Sequence, residues 1–130
     1  MASVELPWPP SALSPNASTG KRIAKNKAAQ QYKTACWSLA RGKGLSRNCA
    51  HPVVTFHPPD GRRRDVDNMM AAFKSGLDGV ALALGIDDRQ WTGWTIRKGE
   101  KVKGGKVVLE LPDNWQQIGD VAARIVEQKS

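Results

Sequence analysis

The sequence predicts an α+β fold, a small mixed β-sheet packed with helices in the order β-α-β-α-β-β-α. Three observations predict it. Short stretches alternate apolar and polar residues with period two, as half-buried strands do. Longer stretches repeat apolar residues at helical spacing. The length, 130 residues, is that of one domain of roughly 100–150 residues, large enough to form a core without disulfide or metal staples. A single domain over 1–130 is therefore expected.

The elements follow in order. Ser3 to Trp8 sets Val4, Leu6 and Trp8 on one side and Ser3, Glu5 and Pro7 on the other, the pattern of a half-buried strand. Pro7, Pro9 and Pro10 end it and favour an edge or strand-exit position. Ser11 to Gly20 is a polar loop rich in Pro, Ser and Asn. Lys21 to Ala40 predicts a helix, with Ala24, Ala28, Tyr32, Cys36 and Leu39 as its apolar stripe. Arg41 to Ala50 is a basic loop. Val53 to His57 is a β-rich strand closed by Pro58-Pro59. Asp67 to Leu84 predicts a second helix, with a stripe of Met70, Phe73, Leu77, Val80, Ala81 and Leu84 and Gly85 as its C-terminal stop. Trp91 to Arg97 and Val107 to Leu111 predict two strands joined as a hairpin by the basic, Gly-rich loop Lys98 to Gly105. Asp113 is placed to cap a last helix, a C-terminal extension over 113–130 with Ile118, Val121, Ala122 and Ile125 as its stripe.

Composition narrows the function. Apolar residues make up 40% and charged residues 25% of the chain, the balance of a globular protein and not of a disordered one. No apolar run reaches the roughly 18 residues of a membrane span. Met1 to Pro10 lacks the basic and apolar regions of a secretory signal, so a cytoplasmic protein with no membrane partner is expected. Cys36 and Cys49 are most simply free thiols; with His51 and His57 they match no zinc-finger spacing.

Twenty Lys and Arg against twelve Asp and Glu give a net charge of +8, which favours a polyanionic partner, most often nucleic acid. The distribution says more than the sum. No acid falls between Leu6 and Pro59, a stretch holding Lys21, Arg22, Lys25, Lys27, Lys33, Arg41, Lys43 and Arg47. Asp60, Asp65, Asp67, Asp78, Asp87 and Asp88 follow, and then Arg97, Lys98, Lys101, Lys103 and Lys106. Carboxylates repel phosphates, so an acidic island between basic blocks has no use in a simple nucleic-acid coat. It has one if a divalent cation sits between carboxylate and phosphate.

The informative segment is Asp60-Gly61-Arg62-Arg63-Arg64-Asp65-Val66-Asp67-Asn68. In an extended segment, residues two apart share a face, so Asp65 and Asp67 can point at one site at the mouth of the second helix. Mg²⁺ is a hard ion, commonly bound by one or two carboxylates with waters and phosphate oxygens. Arg62, Arg63 and Arg64 would hold the phosphate backbone, and their charge would keep Asp65 ionised. Each signal also has an ordinary explanation. Asp at a helix start is a common cap, Asp87-Asp88 makes a turn, and an arginine run can be a solvated patch. Most of the five tryptophans are expected to pack in the core; Trp91 and Trp94 are the ones expected near the acidic island, where an exposed one could stack on a base.

At these residues the sequence resembles the RusA family of Holliday junction resolvases, endonucleases of bacteria and their phages. Leu6-Pro7-Trp8-Pro9-Pro10-Ser11 resembles the family's N-terminal strand exit. His57 to Asn68 resembles its Arg-rich D-x-D-N motif, Leu77-Asp78-Gly79 its helix end, Asp87-Asp88-Arg89-Gln90 its D-D-x-Q loop, and Gly104-Gly105-Lys106 its last hairpin. The resemblance implies a homodimer that binds four-way DNA junctions and makes paired, symmetric nicks in recombination and repair, with Mg²⁺ or Mn²⁺ as cofactor. It implies Asp65, Asp67 and Asp88 as the metal-binding, catalytic aspartates, with Asp87 and Asn68 in support. The family's usual lysine four residues after the second motif aspartate is here Ala71. Lys74, seven residues after Asp67, returns to nearly the same helix face and is the expected substitute, against the alternative of a solvated lysine. Lys21, Arg22, Lys25, Lys27 and the Lys98 to Lys106 loop, including Lys101 and Lys103, are the expected DNA-backbone contacts. Two rivals remain at this point. A non-catalytic DNA-binding or architectural protein would explain the basic blocks but not the aspartates. A metal phosphohydrolase acting on small nucleotides would explain the aspartates but not the basic surface.

Overall fold

The computed structural model describes residues 3–14 and 22–112. The strands are β1 (Ser3–Pro7), β2 (Val53–His57), β3 (Thr95–Lys98) and β4 (Lys106–Glu110), and the helices are α1 (Arg22–Ala40) and α2 (Val66–Leu84). Short 3-10 turns cover Ser11–Leu13 and Asp88–Gln90. The fold is α+β. The last helix expected after Asp113 and the loop over 15–21 lie outside the described residues.

The four strands form one mixed sheet in the order β1-β4-β2-β3. β4 is antiparallel to both β1 and β2, and β3 is parallel to β2. Period-two alternation then builds one apolar face. Val4, Leu109 and Val54 stand in one row across the sheet, and Leu6, Val107 and Phe56 in the next, all buried. β1 lies at an edge, as its terminal Pro7 requires.

The hairpin expected between the last two strands does not form, because β2 lies between β3 and β4. The parallel pair β2 and β3 is joined through α2, as parallel strands require, and the long loop after β3 crosses the end of β2 to reach β4, which runs antiparallel to it. β3 also starts at Thr95 instead of Trp91. The residues before it are tied to the entrance of β2, with Thr92 N–H donating to the Ala50 carbonyl at 2.9 Å and Thr95 N–H to that of Pro52 at 3.0 Å.

α2 packs on the apolar face through its predicted stripe, and Met69, Ala72 and Gly76 are buried as well. Phe73 meets Phe56 edge-on at 5.8 Å and Tyr32 of α1 at 6.4 Å. α1 buries Tyr32, Cys36 and Ala40, whereas Ala24 and Leu39 of the expected stripe are exposed. The stripe is thus narrower than expected, one face against α2. Gly85 ends α2 with φ +69°, its N–H reaching the Ala81 and Leu82 carbonyls, a left-handed cap that favours glycine. Both cysteines are free and buried, and burial pushes the Cys36 thiol up to about 11.

Candidate active site

The exit of β2 carries the first three acids of the island, Asp60, Asp65 and Asp67. His57 is followed by Pro58-Pro59 and then by a loop organised by Asp60. Its Oδ1 accepts from Arg62 N–H at 3.0 Å and from Arg64 Nη1 at 2.8 Å, while Arg62 Nε lies 3.3 Å from Oδ2. The hydrogen bond from Arg64, then that from the Arg62 amide, hold the Asp60 carboxyl well below the usual carboxylate range. Arg62 and Arg64 thus pair with Asp60. Arg64 is the most enclosed of them, its side chain 16% exposed, with its guanidinium carbon 5.6 Å from the centre of the Trp8 ring. Arg63 is exposed and has no hydrogen-bond or ion-pair partner among the described residues.

Asp65 is the N-cap of α2. Its backbone is extended (φ −84°, ψ 132°), and its carboxylate accepts from the Asp67 N–H at 3.1 Å. Asp67 lies within the first helical turn. The two residues are therefore gathered by a helix N-terminus, which favours negative charge, and not by strand alternation as expected. Capping and a functional role coexist: the cap occupies Oδ1 of Asp65, and the Asp67 carboxylate has no hydrogen-bond partner among the described residues. Asp65 and Asn68 line a pocket of about 440 Å³. Its other walls include the Arg62–Arg64 loop, the segment from Trp8 to Ser11, Phe56 and Ala72, and Asp67 is not among them.

Basic residues remote in sequence arrive at this end of the sheet. Lys98 Nζ lies 3.4 Å from the Arg64 carbonyl. The loop carrying Lys101 and Lys103 is pinned to the exit of β2: Gly99 N–H donates to the Phe56 carbonyl at 2.8 Å, Val102 N–H to that of Pro58 at 2.8 Å, and His57 Nδ1–H to that of Glu100 at 2.9 Å. Arg22 and Lys27 are exposed on α1, and Lys21 lies outside the described residues. Lys25 and Lys74 line a second, shallower depression with Ser75 and Asp78. Lys74 therefore does not line the Asp65 pocket; Ala72 walls both depressions.

Asp88 is not brought to Asp65 and Asp67 within one chain. At about 1.5 Å per residue, the two ends of α2 stand roughly 27 Å apart. Asp65 and Asp67 are at its start, and Asp88 follows its end. The turn holding Asp88 is tied away from the pocket, since Gln90 Nε2 donates to the Arg47 and Cys49 carbonyls, beside the entrance of β2. Asp87 caps this turn, accepting from Arg89 N–H at 2.9 Å and pairing with the Arg89 guanidinium at 2.9 Å; the latter bond leads in lowering its carboxyl to about 2. Among the described residues no group of three or more His, Cys, Asp or Glu side chains could hold a metal. Among the described residues, the helix mouth offers the carboxylates of Asp65, which lines the pocket, and Asp67, which does not. Two hard oxygen donors beside arginines fit an ion shared with phosphate oxygens, and the three-aspartate set does not assemble in a single chain.

Trp91 and Trp94 are not near this pair either. Trp91 is 5% exposed and packs edge-on against Trp94 at 5.6 Å, at the far end of β2. The tryptophan on the pocket is Trp8. Its sequence signals were its place on the apolar side of the first strand and in the Leu6 to Ser11 strand exit, while Asp60 was legible as the head of the arginine-rich segment, with no role of its own.

Two carboxylates at a helix mouth, beside a guanidinium-rich loop and a basic crossover on a small mixed sheet, define a class: basic α+β proteins with an acidic helix mouth set among cations. No family model matches the chain. An uncharacterised protein of Xylella fastidiosa is 36% identical over 132 aligned residues, covering 96% of this chain and 85% of that protein. The crossover junction endodeoxyribonuclease RusA of Enterobacteria phage 82 is 30% identical over 114 residues, 85% of this chain and 92% of the relative. That of Escherichia coli K12 is 30% identical over 115 residues, 85% and 93%. The chain belongs to the RusA family. No helix among the described residues is long and apolar enough to cross a membrane.

Proposed function

We propose that this protein is a metal-dependent, structure-selective endodeoxyribonuclease that resolves four-way DNA junctions by paired, symmetric nicks in recombination and repair. The observation that carries this is the Asp65–Asp67 pair at the mouth of α2, beside the Arg62–Arg64 loop. Kinship with the crossover junction endodeoxyribonucleases supports it. Such a substrate places the protein in the cytoplasm of a bacterial or phage-infected cell.

Water attacks a junction phosphodiester and leaves 3′-hydroxyl and 5′-phosphate ends. Arg63, without a partner among the described residues, is the cation that contacts the scissile phosphate and fills the role left vacant at Ala71. Arg62 and Arg64 are held in place by Asp60, so they meet the DNA already oriented. Lys98, Lys101 and Lys103 from the crossover, with Arg22, Lys25 and Lys27 from α1, hold the flanking backbone. Asp65 and Asp67 would ligate Mg²⁺ or Mn²⁺. Such an ion supplies a nucleophilic water at neutral pH and stabilises charge on the phosphoryl oxygens.

A homodimer resolves the position of Asp88. In an isologous pair, each chain presents its Asp88 turn, oriented by Asp87 and Gln90, to the Asp65–Asp67 pair of the other. The same two-fold axis relates two sites, as paired nicks require.

The test incubates the protein with a four-way junction, a linear duplex and a free nucleotide, each with Mg²⁺ or with EDTA, beside Asp67→Asn. Mg²⁺-dependent nicking of the junction alone, lost in the variant, is the expected result. Junction binding without nicking would mark an architectural protein, and hydrolysis of the nucleotide alone a small-molecule phosphohydrolase.

A further inference from the structure

Resting on the nuclease function above, we propose that the pocket beside Asp65 receives a single nucleobase, the one next to the scissile phosphate, stacked on Trp8 and read at its edge by Asn68. Cleaving a phosphodiester needs only the phosphate and the groups around it. The pocket offers more than that. Its volume, about 440 Å³, falls within the roughly 300–1,000 Å³ of small-ligand sites. A phosphate held by Arg63 beside Asp65 leaves the Trp8 side of the pocket to be filled.

That side is flat, rigid and suited to a base. Trp8 is fixed by three contacts. Phe56 meets it edge-on at 6.1 Å and 81°. Gly105, at φ +73°, approaches so closely that a Cβ there would sit 2.9 Å from Trp8. Arg64, clamped by Asp60, lies over the ring at 5.6 Å. Indole rings and guanidinium planes are the two side-chain surfaces on which unstacked bases settle. Asn68 supplies the reading group. Its amide offers a donor and an acceptor and has no partner among the described residues. It lines the same pocket as Asp65 and Arg63, so a base it touches lies beside the phosphate those residues hold. Extrusion is cheapest where pairing is already disrupted, as at a branch point. The pocket thereby couples recognition of the branch to a preference for the base beside the cut.

The experiment places 5-iodouracil on either side of the scissile phosphate of a four-way junction. The junction is bound by Asp67→Asn, so that the strand stays intact, and binding is verified by gel shift. The complex is irradiated and the cross-linked peptide sequenced by mass spectrometry. A cross-link to Trp8 from one flank is expected, kept in a Trp8→Phe background and lost in Trp8→Leu. In the otherwise wild-type protein, Asn68→Ala should reduce discrimination among the four bases at that flank by about fivefold or more, the lower end of what one base-edge contact provides. This arm stands even if Trp8→Leu fails to fold. Cross-links from both flanks that avoid Trp8 on a shifted junction, or an unchanged base preference in Asn68→Ala, would overturn the base pocket and leave the nuclease standing. Failure to shift the junction would overturn both.

Discussion

Two inactive variants, Asp67→Asn and Asp88→Asn, should restore activity to each other when mixed. In the proposed homodimer, each variant carries a lesion in both sites. Each should lose at least about a hundredfold in rate, since even residues that merely support a metal ligand are worth 10–100-fold. The outcome of mixing depends on which chain supplies Asp88. Asp67 lies at the start of α2, whose ends are roughly 27 Å apart. The four residues from Leu84 to Asp88 can recover at most about 14 Å of that, even fully extended, and Gln90 anchors the turn at the entrance of β2. If the two aspartates of a site come from different chains, a mixed dimer has one site with both lesions and one site with none. Random exchange at equal concentrations makes half the dimers mixed, so about one quarter of wild-type sites return. The assay is a supercoiled plasmid bearing an extruded cruciform. Wild type linearises it by paired nicks, whereas the mixture should yield mainly nicked circles at about one quarter of the initial rate. A mixture as inactive as its parents, with subunit exchange verified by tag co-purification, would refute the shared site.

Further outcomes follow from the same contacts. Arg63→Ala should slow junction cleavage roughly tenfold or more, the loss expected for one hydrogen bond to a charged group. Lys74→Ala should stay within about twofold, and the reverse order in single-turnover rates would return the role to Lys74. The Asp87 carboxyl is lowered to about 2 from an unfolded value of 3.8. Its contribution to stability is therefore fully present above the unfolded value and is lost as pH falls through about 2; a carboxyl-carbon NMR titration placing its midpoint near 3.8 would exclude the Arg89 clamp. Gly79→Ala should destabilise the fold by about 1–3 kcal/mol, as overpacking does, because the new methyl would collide with the Lys33 carbonyl of α1. Urea unfolding measures this, and an unchanged midpoint would refute the close crossing of the helices.

The legible parts of the fold were those governed by local pattern. The stripe through Phe73, Leu77 and Val80 placed α2 nearly to the residue, because burying one face of a helix demands that spacing. Alternation likewise placed β1, and β-rich composition closed by two prolines placed β2. The broader stripe expected on α1 failed at Ala24 and Leu39, since the face a helix buries is set by the width of what it meets. The hairpin failed for a related reason. Strands adjacent in sequence usually pair, but here β2 takes the place between β3 and β4, a choice made by non-local packing of the apolar rows.

The candidate site divides the same way. Asp65 and Asp67 are close in sequence and lie at the helix mouth in any fold that keeps α2, so the chain by itself determined that both acids sit there, with the arginine run beside them. Only tertiary structure decided the rest. It gave Arg62 and Arg64 to Asp60, set Lys98 at the Arg64 carbonyl, and brought Trp8 against Phe56 and Gly105, residues 48 and 97 positions further along the chain. It also placed Asp88 beyond the far end of α2. The physical reason is range: helix spacing and capping act over a few residues, whereas the walls of a pocket are drawn from segments that meet only when the sheet closes and its apolar face is covered.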